Sequence, residues 1–195
     1  MTLELNERVK IKNRPFEGEW QSGDCPFFEM QEGKLHLGLF DVLGHGHEAA
    51  KLAKTLPKMV KPLLGMSTDK LIEEIHLNMQ GSLGAALSYV QIDLDTGELV
   101  FSGVGNVLAF ISGSAKKQFV SKDGVLGQNI RTPLLQYAVL KEGDKLVLAS
   151  DGVQSRCYGL LDDYFLDKSA EYLSSYLIEK FGKSHDDASC LVFEF

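Results

Sequence analysis

The order in which two hydrophobic periods follow one another along this chain constrains its fold more than any other feature. A block of strand signals fills the middle. AALSYVQIDLDTGELVFSGVGNVLAFIS, residues 85–112, holds two apolar runs around Asp95-Thr96-Gly97, and that pattern predicts a hairpin. KQFV, LQYAVL and DKLVLAS read as further strands, and the closing ASCLVFEF is apolar enough for an internal one. Helical spacing lies on either side. Ala49, Leu52, Ala53, Leu56, Met59, Val60, Leu63 and Leu64 recur at that spacing, and Pro57 is expected to kink or divide the helix they form. Ser67, Thr68 and Asp69 supply caps for a helix carrying Leu71, Ile72, Ile75 and Met79, while Ala170, Leu173, Leu177 and Phe181 mark another over 168–182. Helices gathered in two groups around a strand block favour an α+β layered architecture over a parallel βαβ fold. Strands with apolar residues on both faces imply two stacked sheets with helices outside.

Size and charge narrow the class. The 195 residues, 44% of them hydrophobic, suffice for one core, and without repeats or a Pro/Ser-rich linker a single domain over 1–195 is expected. The formal net charge of −7 and the lack of a basic run argue against a nucleic-acid partner, and an acidic surface repels an anionic membrane. Cys25, Cys157 and Cys190 are odd in number and form no CxxC pair, which speaks against a disulfide framework and a structural zinc site. The N-terminal MTLELNERVKIKNR lacks an apolar targeting core, and no apolar run is long enough to span a bilayer, so a cytoplasmic location is expected.

The informative residues are carboxylates at the ends of apolar segments. In KLHLGLFD, residues 34–41, Leu35, Leu37 and Leu39 alternate with the intervening residues as a strand does. Asp41 shares their parity and points toward the face they bury. Asp151 follows LVLAS with the parity of Val147 and Ala149. Asp186 and Asp187 directly precede the last strand, and Asp24 sits in SGDCPFF between a turn and aromatics. A lone carboxylate aimed at a core protonates or finds a partner, and no Arg or Lys lies next to Asp41 in sequence. Singly, each of these acids reads as a turn aspartate capping backbone N–H groups. If several converge, their repulsion calls for cations, and an all-oxygen ligand set suits Mg²⁺ or Mn²⁺.

Taken in order, SGDCPFF, LGLFDVLGHGHEAA, QGSLGAAL, GVGN, DGVLG, LVLASDGV and HDDASCLV resemble the PPM family of metal-dependent phosphatases, in its compact SpoIIE-type branch and closest to the RsbX-like stressosome phosphatases. The resemblance covers roughly residues 18–195. It implies a four-layer αββα sandwich of two antiparallel sheets flanked by helices, with two Mn²⁺ or Mg²⁺ ions at one end. Carried over motif by motif, Asp24 matches the first metal-site aspartate, Asp41 the bridging one and Val42 the residue whose backbone carbonyl completes one shell. Asp151 and Asp186 would hold the other ion. The family usually has Gly where this chain has Val42, and a β-branched residue there restricts the backbone. Ser189 stands where Thr is common. Arg14 is near Asp24 in sequence, which makes it a candidate for the phosphate-clamping arginine of larger members.

The resemblance implies a serine/threonine protein phosphatase that needs no covalent intermediate, with the aspartates Asp24 and Asp41 as ligands of the catalytic ions. Cysteine-based phosphatase chemistry wants a Cys-x5-Arg cradle, and none of the three cysteines has it. His45, in the Gly44-His45-Gly46 loop at a helix start, reads equally as a proton donor to the leaving oxygen or as a packing residue. Asn106 is either a site neighbour or a turn residue; His185 reads rather as a turn residue, and His36, His47 and His76 as packing or surface residues. Trp20 is expected to anchor the loop that carries Asp24. The implied substrate is a phosphorylated protein, such as a stressosome scaffold or an anti-sigma antagonist of the STAS type. A non-catalytic phosphatase-like binding module is the alternative, and a phosphatase of small phosphate esters a third reading.

Overall fold

The computed structural model describes residues 2–114, 116–160 and 167–195. The chain opens with α1 (Thr2–Arg8) and β1 (Val9–Arg14), followed by β2 (Asp24–Gln31) and β3 (Lys34–Val42). Helices α2 (Gly46–Ala53), α3 (Leu56–Val60) and α4 (Thr68–Asn78) come next. The strand block holds β4 (Ala85–Asp93), β5 (Glu98–Val104) and β6 (Leu108–Ser112), then β7 (Lys117–Gln118), β8 (Gly124–Val125), β9 (Asn129–Ile130), β10 (Gln136–Val139) and β11 (Lys145–Ala149). It closes with α5 (Cys157–Leu160), α6 (Ala170–Phe181) and β12 (Ala188–Glu194).

Two five-stranded sheets result, ordered β1-β12-β11-β6-β7 and β10-β5-β4-β3-β2, with antiparallel pairing throughout. Strand alternation divides the apolar side chains into three cores. Leu35, Leu37 and Leu39 of β3 meet Leu146 and Leu148 of β11 and Leu191 and Phe193 of β12 between the sheets. On the other face of β3, Phe40 and Val42 join Leu87 and Tyr89 of β4 under Ala49, Leu56, Leu71 and Ile75 of the first helical group. Val147, Ala149, Cys190 and Val192 receive Leu173, Leu177 and Phe181 of α6. The layers are therefore helix, sheet, sheet, helix, the αββα sandwich that the resemblance implied. Each of the buried Val, Leu, Ile and Phe side chains among these contributes about 1.5–3 kcal/mol of transfer free energy.

Local signals explain most of the elements. The helix over 49–64 is divided at Lys54 and Thr55, and Pro57 falls in the first turn of α3, where a missing N–H costs nothing. The β4–β5 hairpin turns at Asp95-Thr96-Gly97, with Asp93 Oδ1 accepting from the N–H groups of Asp95 and Thr96 at 3.0 Å each. β12 is internal, flanked by β1 and β11. A second tight turn sets the site. Glu32 and Gly33, with φ of 52° and 77°, join β2 to β3 in two residues, and positive φ at both central positions matches the twist of paired strands. That turn fixes Gln31 opposite Lys34, and counting back along the ladder places Asp24 opposite Asp41.

Candidate metal centre

Asp24 and Asp41 face each other across neighbouring strands at the end of one sheet. The other sheet contributes from the corresponding end. β11 and β12 pair up to Ala149 and Cys190, and the contact then continues through Ser150, whose N–H donates to Ser189 O and whose Oγ accepts from Ser189 N, both at 3.0 Å. Past this point the chain turns, with Val153 N–H donating to Ser150 O. The parity expected to orient Asp151 therefore ends at Ala149: Val147 and Ala149 face the α6 layer, and Asp151 has left the strand. Asp41 keeps its parity and continues the inter-sheet face of Leu35, Leu37 and Leu39.

Electrostatics show which acids the fold assembles. Burial pushes the Asp41 carboxyl up to about 8, and the charges of Asp24, Asp151 and Asp186 add to it against the N–H of Asp151. Burial likewise pushes Asp24 up to about 7; the Ser150 and Ser189 hydroxyls oppose this, and Asp187 and Asp151 reinforce it. Asp186 is raised by its partial burial and then by Asp151, which stands within hydrogen-bonding reach of it. Asn106 donates from Nδ2 to Asp151 Oδ2 at 2.6 Å. It is a neighbour of the cluster and not merely a turn residue.

Two buried oxygens in this cluster are left over. Asp24 is 5% exposed, and its Oδ2 has no hydrogen-bond partner, nor has Ser189 Oγ; the two serine hydroxyls lie close to the carboxylate without the geometry of a bond to Oδ2. Among the described residues no three His, Cys, Asp or Glu side chains close into a finished cage. What the fold supplies is four like-charged groups from two sheets, one with an unsatisfied buried oxygen. That donor set fits a hard, oxygen-seeking divalent cation, which would relieve both the repulsion and the orphaned atom.

Asp187 has a different task. It is buried, and its Oδ1 accepts from Phe16 N while its Oδ2 accepts from Gly23 N, both at 2.7 Å. It ties down the loop just ahead of Asp24. Phe16 in turn stacks on His45, with ring centroids 4.8 Å apart and planes 10° from parallel, and Glu19 Oε1 lies 3.8 Å from His45 Nδ1. His45 is the N-cap residue of α2 and largely exposed. Val42 is buried, paired with Ala85 of β4, and its N–H reaches Gly23 O at 3.3 Å. A regular strand suits a β-branched residue, which explains how Val replaces Gly there.

The remaining residues singled out in the sequence divide. Trp20 is no anchor: it stands 94% exposed, on the rim of a shallow groove shared with Asp24, Cys25, Ala53 and Pro57. Arg14 gives its guanidinium to Lys183 O and so braces the loop before Asp186. His36 is a core residue bonded to Tyr89 OH at 2.6 Å, His76 accepts from Gly127 N, His47 is exposed and His185 is an exposed turn residue. The three cysteines are free thiols. Among the described residues no helix is long and apolar enough to cross a membrane. Asp187 is the residue at the cluster whose bracing contacts the sequence left unread. The paired acids of HDDAS were visible, and what separates them is that one meets two backbone N–H groups while the other faces Asp151.

A two-sheet αββα sandwich that gathers aspartates from both sheets at one end has the architecture of PP2C-type phosphatase domains. The chain belongs to the Stage II sporulation protein E (SpoIIE) family, whose profile matches residues 31–195. Among solved structures it is similar to one described in work on the bacterial stressosome as a modular system adapted to control secondary messenger signalling, with 27% identity and a TM-score of 0.84 over 95% of this chain and 97% of that one. It is similar to RsbX in complex with magnesium at 20% identity and TM-score 0.82, covering 95% and 94%. The PP2C phosphatase domain of SpoIIE from Bacillus subtilis aligns at 21% identity and TM-score 0.75, over 96% of this chain and 61% of that one. The curated proteins contain no match.

Proposed function

We propose that this chain is a Mn²⁺- or Mg²⁺-dependent phosphatase that removes phosphate from serine or threonine of a partner protein, acting in the cytoplasm. The observation that carries the reading is the register that sets Asp24 against Asp41, with Asp151 and Asp186 brought to them from the second sheet. Asp24, Asp41, Asp151, Asp186 and the Val42 carbonyl would hold two ions. Bound there, the ions supply a water of lowered pKa as nucleophile and neutralise charge growing on the phosphoryl oxygens. The chain's own residues do the positioning. Asn106 fixes one oxygen of Asp151, Asp187 holds the Phe16 and Gly23 loop, and the Ser150–Ser189 pair locks the two strands beside Asp24. His45 is the proposed proton donor to the departing serine oxygen. The neighbours from stressosome work and RsbX support a phosphoprotein of a bacterial partner-switching or stressosome pathway, such as a STAS-domain protein, as substrate.

The test is phosphate release from an aryl phosphate and a phosphoserine peptide with Mn²⁺, with Mg²⁺ and with chelator. Turnover is expected with metal only, and Asp41→Asn is expected to lower it by 10³-fold or more, on the order of a lost electrostatic element, while its circular dichroism stays native. Wild-type-like turnover in that variant would sink the two-ion assignment. No turnover by the folded wild type with either metal would favour the non-catalytic binding module.

A further inference from the structure

A groove of about 440 Å³ adjoins Asp151, and its lining includes Asn106, Val153, Gln154, Arg156 and Lys183. Its charge runs against that of the molecule. The chain carries 27 acidic residues against 20 Lys and Arg, and the neighbouring centre is made of four aspartates, yet apart from Asp151 the charged residues lining this groove are both cations. The backbone of Lys183 and the guanidinium of Arg156 both have partners. Lys183 N–H donates to Gly152 O at 2.8 Å, and its carbonyl accepts from Arg14. The Arg156 guanidinium lies 5.9 Å from the ring centre of buried Phe181, whose own carbonyl accepts from Gln154 N at 2.9 Å. Among the described residues neither cation forms a salt bridge.

We propose that this groove is a specificity subsite that receives an acidic side chain of the substrate protein next to its phosphorylated residue, with Arg156 and Lys183 as the cations that hold it. The inference rests on the phosphatase reading, which puts the phosphoryl group at the aspartate cluster and so leads the adjoining polypeptide across Asp151. A planar guanidinium and an ammonium at one groove, with amide donors Asn106 and Gln154 beside them, match a carboxylate. Among the described residues neither Arg156 nor Lys183 is tied up in a salt bridge, and the acid whose charge Lys183 feels, Asp186, belongs to the proposed ion site, so both cations stay available to an incoming carboxylate. On a chain of net charge −7, such a patch also sets where an acidic segment approaches.

The test uses the full chain with Mn²⁺ and phosphoserine peptides carrying Glu, Ala or Lys on either side of the phosphoserine, together with an aryl phosphate. The Glu-flanked peptide is expected to have a KM about tenfold below that of the Ala-flanked one, the size of two partly exposed ion pairs acting together. The Arg156→Ala, Lys183→Ala double variant is expected to erase that preference, with the loss on KM and not kcat. Arg156→Glu with Lys183→Glu is expected to turn the preference toward the Lys-flanked peptide. Persistence of the Glu preference in the double variant overturns the proposal. So does an equal loss on all peptides and on the aryl phosphate, which would place the cations on the phosphoryl group itself. If the wild type turns over nothing, the phosphatase reading has failed, and anisotropy of the same labelled peptides still decides the groove: the Glu-flanked peptide binds the wild type more tightly than the double variant, or the subsite is refuted.

Discussion

At the scale of single residues, the site separates ligand candidates from the groups that place them. His45 is the clearest case for a kinetic test. Phe16 stacks on its ring, and Phe16 is itself tethered by Asp187, so the imidazole has a fixed seat without being buried. If it protonates the leaving oxygen, His45→Gln should slow phosphoserine-peptide turnover by about 10²-fold, the usual weight of a general acid. An aryl phosphate, whose phenolate leaves without help, should be slowed far less. Equal losses on both substrates would make His45 a packing residue. Four aspartates were legible in the sequence because an acid ending an apolar segment is costly unless something compensates it. The roles of Asn106 and Asp187 were not legible, because each depends on contacts across 45 and 164 residues of chain.

At the scale of elements, turns decide the site. The hairpin at Asp95-Thr96-Gly97 and the break before Pro57 were readable from local chemistry. β2 was not, since its residues DCPFFEMQ alternate poorly and its burial is mixed. The turn at Glu32-Gly33 would have revealed it and given the Asp24–Asp41 register as well. The other decisive turn is Ser150-Asp151-Gly152. A Cβ at Gly152 would stand 1.8 Å from the Asp187 carbonyl oxygen and 3.0 Å from Ala188 Cα, so there is no room for a side chain where this turn crosses the approach to β12. Gly152→Ala is expected to cost about 3 kcal/mol, at the upper end of overpacking effects, and to weaken Mn²⁺ binding as Asp187 is displaced. Urea unfolding and metal titration measure the two. A variant with wild-type stability and affinity would show that the turn can move aside freely.

At the scale of the whole molecule, the acidic cluster joins the two sheets, so its charge state bears on folding. Burial raises Asp24 and Asp41 from 3.8 to about 7 and about 8, which means that the folded chain holds protons the unfolded chain has already released. Stability from these groups is full below the ordinary carboxylate value and is lost as pH rises toward 8. In chelator, the melting temperature should therefore fall between pH 5 and pH 8, and saturating Mn²⁺ should recover it at the upper end, by about 2.7 kcal/mol at a hundredfold excess over Kd. A chelated melting curve that rises over this range would contradict the assigned burial of these carboxylates. The layer order was legible because helical and strand periods do not interleave in this sequence, whereas the pairing of β1 with β12 joins the two ends of the chain and leaves no local trace. One exposed side chain also makes the molecule its own optical instrument. Trp20 is the only tryptophan and already stands in water in the native state. Its emission colour will barely register unfolding, so tryptophan fluorescence, excited beyond the tyrosine band, reports on a single loop four residues from Asp24, and a soluble quencher can watch that loop while the rest of the fold stays dark.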